Sequence, residues 1–298
     1  MSFSHQMKEC IRDNINSRNK RFSCLYGMIL YNKKVTREEI CLKSGSEVFS
    51  ALFPALLQTV CRASLETEIH PRKDGGNLYL YKITDQKQVT NIRHFFHIHE
   101  SRRIDRRSVQ DMGAFLGGVF LTCGSITDPE KEYHLEFNVP TEPLCQDLCR
   151  LLEQSGIHAN ITKRRYAWTV YLKDSQALED LLTLMGAQKC TLELIEIKID
   201  KAMTNKIIRQ NNCDMANIDK TISASEKQCR DIQEIMKHNG MKRLSPELRN
   251  LAELRLENPH LSLSELAELL EKPVSRSGVN HRFRRLAEIA AHYREKAE

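Results

Sequence analysis

"FLGGVFLTCGSI", residues 115–126, decides how the rest of the chain is read. It is an apolar, helix-like run with adjacent glycines, Gly117 and Gly118, and it ends on Cys-Gly-Ser. Glycine inside a helix costs about 1 kcal/mol relative to alanine. A glycine pair on an apolar helix therefore marks a place where another backbone comes close. The flanking sequence extends the pattern. Residues 109–122 form the helix. The turn CGSITDPEK, 123–131, follows, with Asp-Pro as its breaker. EYHLEFNV, 132–139, alternates as a strand does. Thr141 starts a helix that runs through Glu153. IHANI (157–161) and YAWTVYLK (166–173) make a hairpin around Lys163, Arg164 and Arg165. Asp174 caps a helix that stops at Met185-Gly186.

Residues 22–98 repeat this order. FSCLYGMILY, 22–31, is the apolar helix, with Gly27 inside it. EEICLKS, 38–44, is a strand, and Ser46 caps the helix EVFSALFPALLQTVC, 47–61. ASLETEIH (63–70) and NLYLYKI (77–83) form a hairpin around Asp74-Gly75-Gly76, and Asp85 starts a last helix. Leu25 and Gly27 map onto Leu116 and Gly118 with one offset. The expectation is an α+β, pseudo-twofold αββαββα domain, with halves at 1–100 and 101–200. A helical connector follows at 201–240, and an all-α helix-turn-helix domain at 241–298.

The C-terminal unit carries the clearest capping signals. Ser245-Pro246 opens a helix that runs through LRNLAELRLEN, 248–258, and stops before Pro259. LSLSELAELLEK, 261–272, starts on Ser262 with Glu265 three residues on, the pattern of a capping box. Ser275 opens the third helix, SRSGVNHRFRRLAEIAAHY, 275–293. Three short helices joined by tight turns are the helix-turn-helix pattern. Lys272, Arg276, Arg282, Arg284 and Arg285 lie in one acid-free stretch, whereas Glu253, Glu257, Glu265, Glu268 and Glu271 sit on the first two helices. Positive charge on the third helix suits a phosphate backbone, and Arg and Asn can each make paired hydrogen bonds to a base edge. The candidate DNA-binding residues are Ser262, Ser264, Lys272, Ser275, Arg276, Ser277, Gly278, Asn280, His281, Arg282, Arg284 and Arg285. Lys163, Arg164 and Arg165 are candidate secondary contacts through the hairpin.

The run at 115–125 also resembles the LAGLIDADG helix of homing endonucleases. In those enzymes the last acid of each helix holds a divalent metal. Here Cys123 takes that place, and in the first half CLYGMILYNKK, 24–34, puts Asn32 there. Neither is the hard oxygen anion that Mg²⁺ requires. The expectation is a degenerate nuclease scaffold with no metal and no cofactor. A metal-dependent endonuclease is the alternative of a different class, and a scaffold docking on RNA polymerase is a third.

The remaining features narrow the field. The 298 residues are 41% hydrophobic and 28% charged, the balance of a soluble globular chain, with a net charge of +6. No apolar run approaches the roughly 20 residues of a membrane span. The N-terminal MSFSHQMKECIRDNI has no apolar signal core, so a cytoplasmic, nucleoid-associated location is expected. The ten cysteines are scattered without a CxxC pair, the pattern of reduced core residues. His94, His97 and His99 cluster but lack the fourth ligand of a zinc site. No phosphate loop, GxGxxG or Ser/His/Asp order is present, so no small-molecule substrate is indicated.

Taken together, MGAFLGGVFLTCGSITDPEKEYHLEF (112–137), NNCDMANIDKT (211–221), and LSPELRNLAELRLENPHLSLSELAELL followed by PVSRSGVNHRFRRL (244–286) resemble the WhiA family of bacterial regulators over nearly the whole chain. The resemblance implies a degenerate homing-endonuclease-like domain, then a helix-turn-helix similar to sigma-factor region 4. It further implies a transcription regulator linked to sporulation, cell division and chromosome segregation. Double-stranded DNA would be the partner, with RNA polymerase or a sigma factor as a protein partner.

Overall fold

The computed structural model describes residues 2–73, 75–164, 167–272 and 274–295. The chain divides into two compact units, residues 1–201 and 202–298.

The first unit is α+β and twofold repeated. Its first half holds α2 (Arg18–Leu30), β1 (Lys34–Val35), β2 (Ile40–Ser44), α3 (Glu47–Leu56), β3 (Glu66–Pro71), β4 (Asn77–Ile83) and α4 (Gln86–Phe95). Its second half holds α5 (Met112–Cys123), β5 (Gly124–Ile126), β6 (Leu135–Val139), α6 (Glu142–Gln154), β7 (Asn160–Arg164), β8 (Ala167–Leu172) and α7 (Ser175–Leu184). Each half makes a four-stranded antiparallel sheet, ordered β1-β2-β4-β3 and β5-β6-β8-β7. The strands alternate as expected. Leu135, Phe137 and Val139 are buried under the helices, while Glu136 and Asn138 face the other way.

The two halves meet along α2 and α5. A Cβ added at Gly118 would lie 2.1 Å from the carbonyl oxygen of Cys24. One added at Gly27 would lie 2.4 Å from that of Phe115. The helices therefore touch backbone to backbone, and no larger residue fits at either position without separating them. Leu25, Tyr26, Ile29, Leu116, Val119 and Phe120 fill the flanks of the seam and are fully buried.

The segment joining the halves is fastened to α2. Ser23 Oγ accepts hydrogen bonds from the amides of Gln110 and Asp111, both at 2.9 Å. Tyr26 Oη accepts one from the amide of Asp105 at 2.8 Å. The Arg102 guanidinium donates to the carbonyls of Leu30 and Asn32, filling acceptors that the end of α2 leaves open.

Three elements depart from the sequence expectation. A first helix, α1 (Phe3–Asn14), buries Phe3, Met7 and Ile11, one per turn, and Ser2 Oγ caps it by accepting from the amide of His5. The Ile11 side chain fills the space that Gly117 leaves, with its Cγ2 at 2.8 Å from the Cβ position. The turn after Cys123 begins as strand β5, pairing Ser125 with Glu136. Finally, α3 stops at Leu56 and a wider π turn takes the chain to Cys61.

Helix α8, Gln188–Lys237, is continuous through NNCDMANIDKT. Cys190 and Leu194 near its start belong to the first core, and Ile232 and Ile235 near its end to the second. The second unit adds α9 (Pro246–Glu257), α10 (Leu263–Leu269) and α11 (Arg276–Glu295).

A Gly118→Val variant places three extra carbons against a backbone carbonyl. The expected cost is about 3 kcal/mol or more, at the upper end of overpacking. It is read as a drop in the urea midpoint at unchanged slope.

Candidate nucleic-acid interface

The second unit is built around α11. Val279, Phe283, Leu286 and Ala290 form its buried stripe. They pack with Leu251 and Ala252 of α9, Leu266 and Ala267 of α10, and Ile232 and Ile235 of α8. A stripe at i, i+4, i+7 and i+11 fixes which face of α11 points outward.

Caps set where the helices begin. Ser262 Oγ accepts from the amide of Glu265, and the Glu265 carboxylate accepts from the amide of Ser262 at 2.7 Å. This is the capping box the sequence predicts. Ser275 Oγ accepts from the amide of Gly278 at 3.2 Å and hydrogen-bonds Ser277 Oγ at 2.9 Å. A Cβ at Gly278 would lie 2.4 Å from Cγ1 of Val274, so this glycine serves the close approach of the preceding turn. The Ser262 and Ser275 hydroxyls are thus engaged in capping, while Ser264 is exposed at the start of α10.

The outward face of α11 carries the candidate contacts. Arg276, Ser277, His281, Arg284 and Arg285 are exposed, and Asn280 and Arg282 are partly so. Lys272 is exposed in the turn before it. Among the described residues no carboxylate pairs with Lys272, Arg276, Arg282, Arg284 or Arg285. They make no ion pair among the described residues, and exposed Glu288 lies one turn beyond Arg284 and Arg285 on the same helix.

Two further arginines occupy α9, so positive charge is not confined to the third helix. Both are spent inside the unit. Arg255 is 1% exposed. Its Nη1 donates to the carbonyls of Asn258 (3.3 Å), Pro259 (3.4 Å) and Leu261 (2.6 Å), and its guanidinium lies 5.3 Å from the Phe283 ring. It thereby ties the α9–α10 turn to α11. Arg249 donates to the carbonyls of Met241, Lys242 and Leu244. The sequence reading missed both roles. The only signal was an arginine placed among the leucines of α9. Arg294, in the last turn of α11, pairs with buried Asp231 at 2.5 Å.

The hairpin in the first unit forms where the sequence predicts it, between β7 and β8, and its register sets the face that Lys163 takes. Register sets Lys163 opposite Trp168, which shares the helix-covered face of its sheet with Val139 and Val170. Its ammonium sits 4.9 Å from the Trp168 ring. Lys163 therefore does not project from the open face, because its parity is that of Ile161 and the core. Arg164 pairs with Ala167 in the ladder, and Arg165 lies outside the described residues.

The helix ends that would hold metal in a nuclease carry Asn32 and Cys123. Asn32 is 6% exposed. Its Nδ2 donates to the carbonyls of Cys41 (2.7 Å) and Lys34 (3.1 Å). Cys123 Sγ donates to the Val119 carbonyl at 3.4 Å, and burial pushes its thiol up to about 12. A structural amide and a neutral thiol do not make a donor set for a hard divalent cation.

Residues 112–204 match the family profile described as the WhiA LAGLIDADG-like domain, and residues 207–290 that of the WhiA C-terminal HTH domain. A protein of Desulforudis audaxviator named "Probable cell division protein WhiA" is 34% identical over 264 residues, covering 86% of this chain and 84% of that one. The chain belongs to the WhiA family. A Clostridium perfringens protein of the same name is 42% identical over 181 residues, 61% of this chain; the match spans 57% of that relative's length. The crystal structure of full-length DUF199/WhiA from Thermotoga maritima has the same fold, with a TM-score of 0.59 at 24% identity, covering 98% of this chain and 99% of that chain. The family assignment agrees with the architecture: a LAGLIDADG-like α+β unit followed by a helix-turn-helix unit.

Arg255→Met keeps an unbranched apolar stem but leaves three turn carbonyls without their donor. The expected loss is about 2–4 kcal/mol. It is read in thermal unfolding of the full chain, as a lowered transition with intact sheet signal.

Proposed function

We propose that the protein is a non-enzymatic, sequence-specific DNA-binding regulator that reads the major groove with α11. The observation that carries this reading is the row of unpaired cations on the outward face of α11, held there by the Val279–Phe283–Leu286 stripe. Unpaired Lys and Arg on one helix suit a phosphate backbone and release its counterions on binding. Arg276 and Asn280, one turn apart near the helix start, are assigned to base edges. Ser264, Lys272, Ser277, His281, Arg282, Arg284 and Arg285 are assigned to the backbone on either side. Ser262, Ser275 and Gly278 act indirectly, by fixing where α10 and α11 begin.

The relatives named "Probable cell division protein WhiA" support a role for this activity in cell division, and regulation of chromosome segregation or sporulation genes is the finer form of the proposal. Location at the nucleoid follows from it. RNA polymerase or a sigma factor is the protein partner that a helix-turn-helix resembling sigma-factor region 4 would suit. The non-enzymatic reading rests on Asn32 and Cys123, whose side chains cannot replace the metal-binding carboxylates of an endonuclease.

Footprinting on genomic fragments tests the proposal directly. Arg276→Ala and Asn280→Ala are each expected to cost roughly 1–3 kcal/mol at the preferred site, with a smaller effect on random DNA. Lys272→Ala or Arg285→Ala should weaken all DNA alike and flatten the salt dependence. Equal losses on specific and random DNA for Arg276→Ala would overturn the base-contact role. Supercoiled plasmid incubated with the protein and Mg²⁺ or Mn²⁺ should remain supercoiled. Nicking abolished by EDTA would overturn the non-enzymatic reading.

A further inference from the structure

The LAGLIDADG-like unit contains a cleft of about 1110 Å³ where α2 and α5 end. Asn32 and Cys123 lie at its base. One wall is the open face of β2 and β4, where Lys43, Leu78 and Leu80 project. Another is the start of α1, which contributes Lys8. The size suits a small molecule held on several sides.

Its chemistry is strongly one-signed. Lys8, Lys33 and Lys43 line it, and among the described residues none of them has a carboxylate partner. Glu47 is the single acid among the described residues that line the cleft. Lys8 is partly buried, and burial holds its ammonium below the ordinary lysine range. A half-buried ammonium with no counter-charge is destabilising unless an anion joins it. Beside these cations runs an apolar strip, Leu78 and Leu80, with Leu121 and Phe49 behind it.

We propose that this cleft is a binding site for a nucleotide, with its phosphates among Lys8, Lys33 and Lys43 and its base on Leu78 and Leu80. Three lysines that line one cleft from separate parts of the chain suit a multiply charged phosphate better than a single carboxylate. The flat apolar strip suits a ring. A duplex suits the surface less well. Register puts Glu68 beside Leu80 and Glu66 beside Lys82, and Glu136 shares the face of Asn138, so carboxylates flank the cleft on both sheets. A DNA backbone crossing the open faces would run over these acids, whereas a ligand confined to the cleft meets only Glu47. The site stands apart from the helix-turn-helix reading and does not depend on it.

Calorimetric titration of the full-length protein tests the site, with ATP, adenosine and pyrophosphate as probes. ATP should bind, and each fragment alone should bind more weakly. Lys43→Gln changes an exposed residue and leaves the core intact. It should weaken ATP about fivefold or more, the size of one charge-assisted contact. Lys8→Gln should do the same if circular dichroism shows it folded. Lys206→Gln, on an exposed stretch of α8, should leave ATP binding unchanged. ATP binding that Lys43→Gln does not alter would overturn the proposal. So would no heat with ATP at about 1 mM, or displacement of bound ATP by an unlabelled 20-bp duplex.

Discussion

The contact between the backbones of α2 and α5 sets the geometry of the whole first unit. Gly118 lies against the Cys24 carbonyl and Gly27 against that of Phe115, so the two helices meet backbone to backbone. Each sheet is carried by one of these helices, and the seam therefore fixes the relation of β1–β4 to β5–β8. Arg102, Tyr26 and Ser23 bind the connecting segment to α2 and hold the two halves as one body. Gly117, the third glycine, faces elsewhere: it makes room for Ile11 and so seats α1 beside the seam.

The same seam brings Asn32 and Cys123 to one cleft. Asn32 has become a bracket between the end of α2 and β2. Cys123 has become a buried, protonated thiol. Around them stand Lys8, Lys33 and Lys43, with Glu47 the single acid among the described residues that line the cleft.

The second unit separates its arginines by role. Arg249 and Arg255 are turned onto backbone carbonyls and act as internal braces. Arg276, Arg284 and Arg285 are left to solvent. An arginine stacked on Phe283 and bonded to three carbonyls cannot also grip a phosphate. The helix that offers its charges outward is thus oriented by one that hides its own. Acids on α9 and α10 complete the contrast.

Much of this was legible in the sequence. The glycine-bearing helices at 22–31 and 109–122, the alternation of 132–139 and the Ser262–Glu265 box each follow from local rules: helix period, strand parity and cap chemistry. The parity of Ile161 and Lys163 was equally available, and it assigns Lys163 to the Trp168 face. The α1 helix also left a trace, in Phe3, Met7 and Ile11 spaced one turn apart. Other features had no local trace. Which cations are braces and which are free depends on carbonyls several residues away in a folded turn, as with Arg255. The cleft depends on Lys8, Lys33 and Lys43 coming from three elements that meet only after the helices pack. Sequence alone determined most of the elements and caps, because those obey short-range periodicity, though Thr141 starts α6 without a side-chain capping bond. Tertiary structure decided which charges stay unpaired, because pairing is set by distance in space.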